Sequence, residues 1–376
     1  MQVYLDNAAT TKTYKEVIDC MTPYFNSIFG NPSSQHLFGR DAIAVVDESR
    51  TKIAQILNVK PEEIYFTSGG TESDNMAILG VARALKHKGN HIVTSAIEHP
   101  AVLESCKQLE KEGFKVTYLQ PNEDGIVKVS SVIQSIEEKT ILVSIMHVNN
   151  EIGTIQPIEE IGKYCREKGL VFHTDAVQSA STLRINTQYV DLLSISGHKI
   201  HGPKGIGILY KRNSVPMNQI MYGGHQEREV RPSTLNVPGI VGLAKALKIT
   251  VSHMDETNKY IKEIRDLFNK RVFTEIIGTK LNGSSENRVV SNSNICFENV
   301  DNDALLMLLD MNGIATSAGA ACNAGSLEPS IVLKAIYNSS KCSKNSIRFT
   351  FDEFNTQEEV NYVVDTLKDC VNQLRK

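Results

Sequence analysis

Between residues 60 and 210 short β-rich runs alternate with amphipathic helical stretches, and this alternation limits the possible folds more than any other feature of the chain. The runs are Ile64 to Thr67, His91 to Thr94, Lys115 to Leu119, Ile141 to Val148, Leu170 to His173, Leu192 to Ile195 and Ile206 to Tyr210. Seven strands joined by helical crossovers predict an α/β fold with a mostly parallel seven-stranded sheet and helices on both faces. In such sheets ligands bind beyond the carboxyl ends of the strands. The residues there are polar: Ser68-Gly69-Gly70-Thr71, Ala96-Ile97-Glu98-His99, Asn149-Asn150-Glu151, Asp175-Ala176-Val177-Gln178 and Ser196-Gly197-His198-Lys199. After Tyr210 come a Gly- and Pro-bearing loop (222–239) and a long helical stretch near 240–273. A strand-like run at Ser293 to Phe297, a helix near Ala304 to Met311, and Ile347 to Phe351 leading into a final amphipathic helix complete the pattern. We therefore expect a large domain over 14–250 and a small α+β domain made of 251–376 together with 1–13.

With 40 basic and 43 acidic residues the chain is near neutral, which argues against direct binding of nucleic acid or an anionic membrane. No apolar stretch approaches the roughly 18 residues of a membrane span, and MQVYLDNAATT has no apolar leader, so the chain reads as soluble and unprocessed. The seven cysteines, at 20, 106, 165, 296, 322, 342 and 370, form no C-x-x-C pair and no Cys/His cluster at metal spacing, which fits a reducing cytoplasm and no metal site. Cys106, Cys165 and Cys296 sit in apolar periodic segments and read as small buried hydrophobes. Cys322 differs: it lies in TSAGAACNAG, a tract with almost no other side chain.

Ser68-Gly69-Gly70-Thr71-Glu72 falls between a strand and a helical pattern, so its backbone N–H groups can cradle a phosphate or simply punctuate a helix start. Ser196-Gly197-His198-Lys199 places hydroxyl and imidazole donors directly before a lysine. Such a setting suits a Schiff-base lysine, whose ordinary pKa near 10.4 otherwise leaves it protonated. Lys204, in Pro-Lys-Gly, reads as an exposed turn lysine. Asp175 at its strand end can pair with a pyridinium nitrogen, or cap the next helix. His99 can stack on a cofactor ring and move protons, or cap a turn.

Taken together, YLDNAATT, FGNPSSQH, SGGTES, AIEHPAV, HVNNEIG, HTDAVQS, SISGHKIHGPKG and SAGAAC, in this order, resemble the pyridoxal-phosphate-dependent cysteine desulfurases of the NifS/IscS type, in the class V aminotransferase branch of fold type I. The resemblance spans essentially the whole chain. It implies that Lys199 holds the cofactor covalently, Asp175 pairs the pyridine nitrogen, Gln178 bonds the phenolic oxygen and His99 stacks on the ring. Gly70, Thr71, Ser196 and His198 then hold the phosphate, with Thr234 reaching it from the other subunit of a homodimer. Asn150 and Arg348 bind the substrate carboxylate. Cys322, as thiolate, attacks the substrate sulfur, giving L-alanine and an enzyme persulfide, with His99 as the candidate base for the thiol. A sulfur-acceptor protein then serves iron-sulfur cluster assembly or sulfur modification of tRNA or DNA. The tract 313–330 matches the long mobile loop of one group of these enzymes.

Other class V reactions, an aminotransferase or a selenocysteine lyase, share Lys199, Asp175 and His99 without needing a thiol at 322; a non-catalytic partner of the same fold is a further alternative. The chain also departs from the family pattern. Alanines stand at 318 and 320 beside the nucleophile, and His225, Glu229 and Ser233 occupy positions where the family has glycine, so a side chain at 233 is expected to crowd the loop carrying Thr234. Asp352 and Glu353, which follow Arg348, are expected to face solvent. The family's C-terminal scaffold-docking extension is not seen, while RPSTLNVP and FENVDNDALL resemble desulfurases that serve DNA or tRNA.

Overall fold

The seven runs pair into one sheet in the order Ile64–Thr67, Gly207–Lys211, Leu192–Ser196, Val171–Asp175, Thr140–Ser144, His91–Ser95, Lys115–Leu119. Gly207–Lys211 is antiparallel to both neighbours, and every other pairing is parallel. The structure, a computed structural model, describes residues 1–319, 330–337 and 342–376. In five of the strands every residue is buried, because helices cover both faces; this is why the runs read as continuous apolar stretches rather than alternating ones. The run predicted to reach Val148 stops at Ser144. Beyond it Ile145 N donates to His173 O and His147 N to Asp175 O, and Val148 then turns back to bridge Ile155.

Helix Leu37–Leu57 and the start of helix Val237–Glu275 cover one face through Val46, Ile53, Ile240 and Leu243. Met76, Ile78, Val102 and Leu109 cover the other. The 39-residue helix starts where Asn236 accepts from Gly239 N at 3.1 Å, with Pro238 in its first turn, a position that lacks an intrahelical acceptor anyway. Farther along, its Ile261, Ile264, Phe268 and Val272 enter a second core with Ile295, Ile347 and Phe349. That core backs an antiparallel sheet of Thr279–Leu281, Asn292–Phe297 and Ser346–Thr350. The N-terminal strand Val3–Tyr4 pairs with Ile314–Ala315 and adds Val3 and Leu5 to the same core. Among the described residues no helix is long and apolar enough to cross a membrane.

Cys106 and Cys165 are buried thiols, but Cys296 is not merely a packed hydrophobe: it forms a disulfide with Cys342. The partner was hidden because only the pairing of Cys296 with Ser346 in the small sheet brings residue 342 alongside. Closing a loop of 46 residues stabilises the fold by about 4 kcal/mol on a chain-entropy basis, and that loop contains residue 322.

The glycine-poor loop after Tyr222 pays in backbone conformation, not in crowding. Ser233 has φ +99° and Glu227, Arg228 and Glu229 have φ of 44°, 54° and 64°, while His225, Glu229 and Ser233 are all exposed. The run is held by Glu227, buried and bonded by Arg50 Nη1 at 2.9 Å and by Phe66 N at 2.8 Å. Ser233→Gly is expected to stabilise the protein by about 1 kcal/mol, the usual cost of a side chain in the left-handed region. Denaturant unfolding checks this, and an unchanged or lower midpoint contradicts it.

Candidate active site

A cavity of about 150 Å³ opens at the carboxyl ends of the central strands. Gly70 and Thr71 line one end with Ser196 and His198, Asp175 and Gln178 lie in its wall, and His99, Asn150, Lys199 and Arg348 complete it. The sequence-predicted residues of the large sheet therefore converge. Thr234 does not: it is exposed and lines neither this cavity nor the adjoining one. Cys322 lies outside the described residues. The tract's first part is tied down, since Ile314–Ala315 is paired strand and Ser317 bridges Arg348.

Each group is positioned by the local fold. Gly207 lets its strand run against the cradle, because a Cβ there would come within 2.7 Å of Gly69 Cα. Ser68 N donates to Glu72 Oε2 at 2.7 Å, and Arg231 Nε holds Glu72 Oε1 at 2.7 Å, which fixes the turn. Asp175 is 5% exposed and accepts from Val177 N at 2.8 Å. Burial raises its pKa, against the fields of His99 and Lys199 and the Val177 hydrogen bond. His198, with Nδ1 3.1 Å from Thr10 Oγ1, is pushed down to about 4 by burial beside Lys199 and Lys204, so it is a neutral donor or acceptor at physiological pH. Lys204 is exposed in a turn, as expected.

Lys199 Nζ donates to Ala8 O at 2.5 Å and Ala9 O at 2.7 Å, and Gln178 Nε2 donates to the same Ala8 O at 2.9 Å. His99 caps helix Pro100–Lys111, its Nδ1 accepting from Ala101 N at 3.1 Å. The capping alternative thus holds alongside a place in the cavity wall. Arg348 is 1% exposed; Nη1 donates to Asn150 O at 2.8 Å and Nη2 to Asp6 Oδ1 at 2.7 Å, while its Nε has no hydrogen-bond partner among the described residues. Asp6 and the Ala8-Ala9 carbonyls were missed as site groups. They lie in YLDNAATT, where backbone carbonyls of two alanines carry no local signal of an acceptor role.

Asp352 does not face solvent. It is 7% exposed, accepts from Phe354 N at 3.0 Å and donates its own N–H to Asn355 Oδ1 at 2.9 Å, because it caps the turn that leaves the Ser346–Thr350 strand. Glu353, half-buried, accepts from Thr257 Oγ1 at 3.1 Å. Both acids line a second cavity of about 280 Å³, which shares Lys199 and Asn150 with the first. Arg348 pairs with Asp6 rather than with either of them.

The donors fit pyridoxal phosphate: hydroxyl, imidazole and backbone N–H groups gather at one end, a buried carboxylate stands in the wall, and a lysine amine lies within reach. An α/β sheet carrying such a lysine at its strand ends defines a fold type I pyridoxal-phosphate site. The chain belongs to the class V aminotransferase family, whose model matches residues 3–363. It is 46% identical over 376 residues to cysteine desulfurase IscS of Dictyoglomus turgidum, covering 100% of this chain and 95% of that protein. Among solved structures, a NifS-like protein matches with TM-score 0.93 and 36% identity over 99% of this chain and 100% of that one. SspA in complex with cysteine matches with TM-score 0.84 and 36% identity, covering 94% and 100%.

Proposed function

We propose that this chain is a pyridoxal-phosphate-dependent cysteine desulfurase that converts L-cysteine to L-alanine and carries the sulfur as a persulfide on Cys322. The observation that carries the reading is Lys199, seated on the Ala8 and Ala9 carbonyls, with Asp175 and Gln178 in the same cavity wall as Arg348. When bound, the cofactor supplies an electron sink for the bond changes at the substrate. Asp175 holds the charge that pairs with its ring nitrogen, Gln178 orients its phenolic oxygen, and Gly70, Thr71, Ser196 and His198 hold its phosphate.

Arg348 Nε, an unpartnered donor buried beside Asn150, fits the substrate carboxylate. The Lys199 amine removes the α-proton. His99 has a more specific part: its Nδ1 lone pair is taken by Ala101 N–H, so in the neutral ring the proton sits on Nε2. With Nδ1 occupied and Nε2 protonated, this neutral ring donates a hydrogen bond and has no lone pair with which to strip the Cys322 thiol. Thiolate formation, which needs a pKa below the ordinary 8.5 or so, then depends on the surroundings of the loop.

The proposal extends to a homodimer in which the exposed Thr234 reaches the phosphate site of a second copy. It also includes an acceptor protein for the persulfide sulfur and action in the cytoplasm, a placement against which the Cys296–Cys342 disulfide stands. The test is turnover of L-cysteine with a dithiol present: alanine and sulfide are expected in equal amounts. Transamination products without sulfide favour another class V reaction, and no turnover by cofactor-loaded protein contradicts the enzyme reading.

A further inference from the structure

Two buried carboxyls line the cavity and a third lies close enough to interact with them electrostatically. Asp74, on helix Gly70–Asn75, is 1% exposed and lines the cavity with Asp175; Glu98, at the end of the His91–Ser95 strand, is 4% exposed. Asp74 and Asp175 feel each other's charge, and both feel Glu98. Their partners differ in kind. Asp175 has a backbone N–H at 2.8 Å and the positive fields of His99 and Lys199. Among the described residues no cation pairs with Asp74: its Oδ1 lies 3.5 Å from His173 Nε2 without a hydrogen-bond partner, and the Ser194 hydroxyl bonds the carboxyl.

His173 cannot supply the missing charge. It is fully buried between Ser144 Oγ, 2.8 Å from Nδ1, and Ser194 Oγ, 3.2 Å from Nε2, and burial holds its pKa down near 3. Glu98 accepts from Ser95 Oγ at 2.6 Å and Met146 N at 2.9 Å, both on Oε1, while its Oε2 has no hydrogen-bond partner among the described residues, and burial pushes it up to about 8. A second full charge in this dry cluster is opposed by desolvation and by the charge on Asp175.

Resting on the cofactor reading above, we propose that Asp74 is a positioning residue that stays a neutral carboxylic acid, supporting Asp175 and leaving it as the only anion beside the cofactor's ring nitrogen. Asp74 and Asp175 are alike in burial, and they divide the work by protonation state. The sheet enforces the division: His173 and Asp175, two residues apart on one strand, point to the same side, so the neutral imidazole stands next to the neutral acid.

Infrared difference spectroscopy of the cofactor-free protein tests this directly. Subtracting the spectrum of Asp74→Asn from that of the wild type should leave a protonated-carboxyl C=O stretch; a carboxylate signature instead overturns the proposal. Cofactor binding gives the second reading. Asp74→Ala is expected to weaken it about tenfold, the usual cost of stripping a buried polar contact, with Asp74→Asn recovering most of the loss and Asp175→Asn losing about 100-fold through the missing charge. If Asn is no better than Ala, a charge on Asp74 is what matters and the proposal fails. Should Asp74→Asn not fold, Ser194→Ala replaces it. Loss of that hydroxyl leaves a neutral Asp74 in place and the pH titration of the cofactor's visible band unmoved, whereas an ionised Asp74 takes up a proton and shifts it. Wild-type protein that binds no cofactor defeats the functional reading itself, a result distinct from every outcome among the variants.

Discussion

Lys199→Ala is expected to lower the rate of alanine formation from L-cysteine by at least about 10⁴-fold, near the upper range for loss of one acid–base group, or about 5.5 kcal/mol of barrier. The effect is this large because Lys199 has two duties, holding the cofactor and moving the α-proton, and no other described lysine lines the cavity. The fold should survive. Lys199 Nζ donates to the backbone carbonyls of Ala8 and Ala9, and Asp175 keeps its Val177 N–H bond when the lysine is removed. The visible band of the bound cofactor should shift away from the wild-type position, and a small added primary amine should restore part of the turnover. Activity within about tenfold of wild type contradicts the assignment.

Cys322→Ala is expected to cost about 10³-fold or more in sulfide release, because no described residue lining the cavity carries a thiol that can accept the substrate sulfur. Cys322→Ser should fare no better, since a hydroxyl is far less nucleophilic than a thiolate. The revealing part is what should remain. Lys199, Asp175 and Arg348 do not depend on the thiol, so both variants should still bind L-cysteine and exchange its α-proton with solvent deuterium. Retained exchange with lost sulfide release separates the two halves of the reaction. Undiminished sulfide release would show that residue 322 is not the acceptor, and a different thiol or a direct elimination would have to replace it.

The large sheet was readable because its strands are buried on both faces and therefore rich in β-branched residues in unbroken runs, such as Ile92-Val93-Thr94 and Leu142-Val143. The site followed from the sheet, since polar residues at successive strand ends can only converge. What local patterns missed was fixed by distant partners. The Ala8 and Ala9 carbonyls close on Lys199 across about 190 residues, and nothing local in Ala-Ala signals an acceptor. Cys296 finds Cys342 through the register of the small sheet. Asp352 turns inward because a cap was needed after Thr350, a choice the charge pattern could not show. The departures from glycine at 225, 229 and 233 pointed to the loop after Tyr222, but to crowding rather than to the left-handed backbone found at Glu229 and Ser233. The left-handed backbone there is imposed by the buried Glu227–Arg50 pair, whose members are 177 residues apart.

The central claim is that sulfur passes from L-cysteine to Cys322 by chemistry that Lys199 makes possible. Peptide mass spectrometry of the holoenzyme after one exposure to L-cysteine, with no reductant present, tests it most directly. The expected result is one added sulfur atom on the peptide containing Cys322, removed by a dithiol and missing in Lys199→Ala. Sulfur found on another cysteine, or appearing on Cys322 equally in Lys199→Ala, would contradict the account.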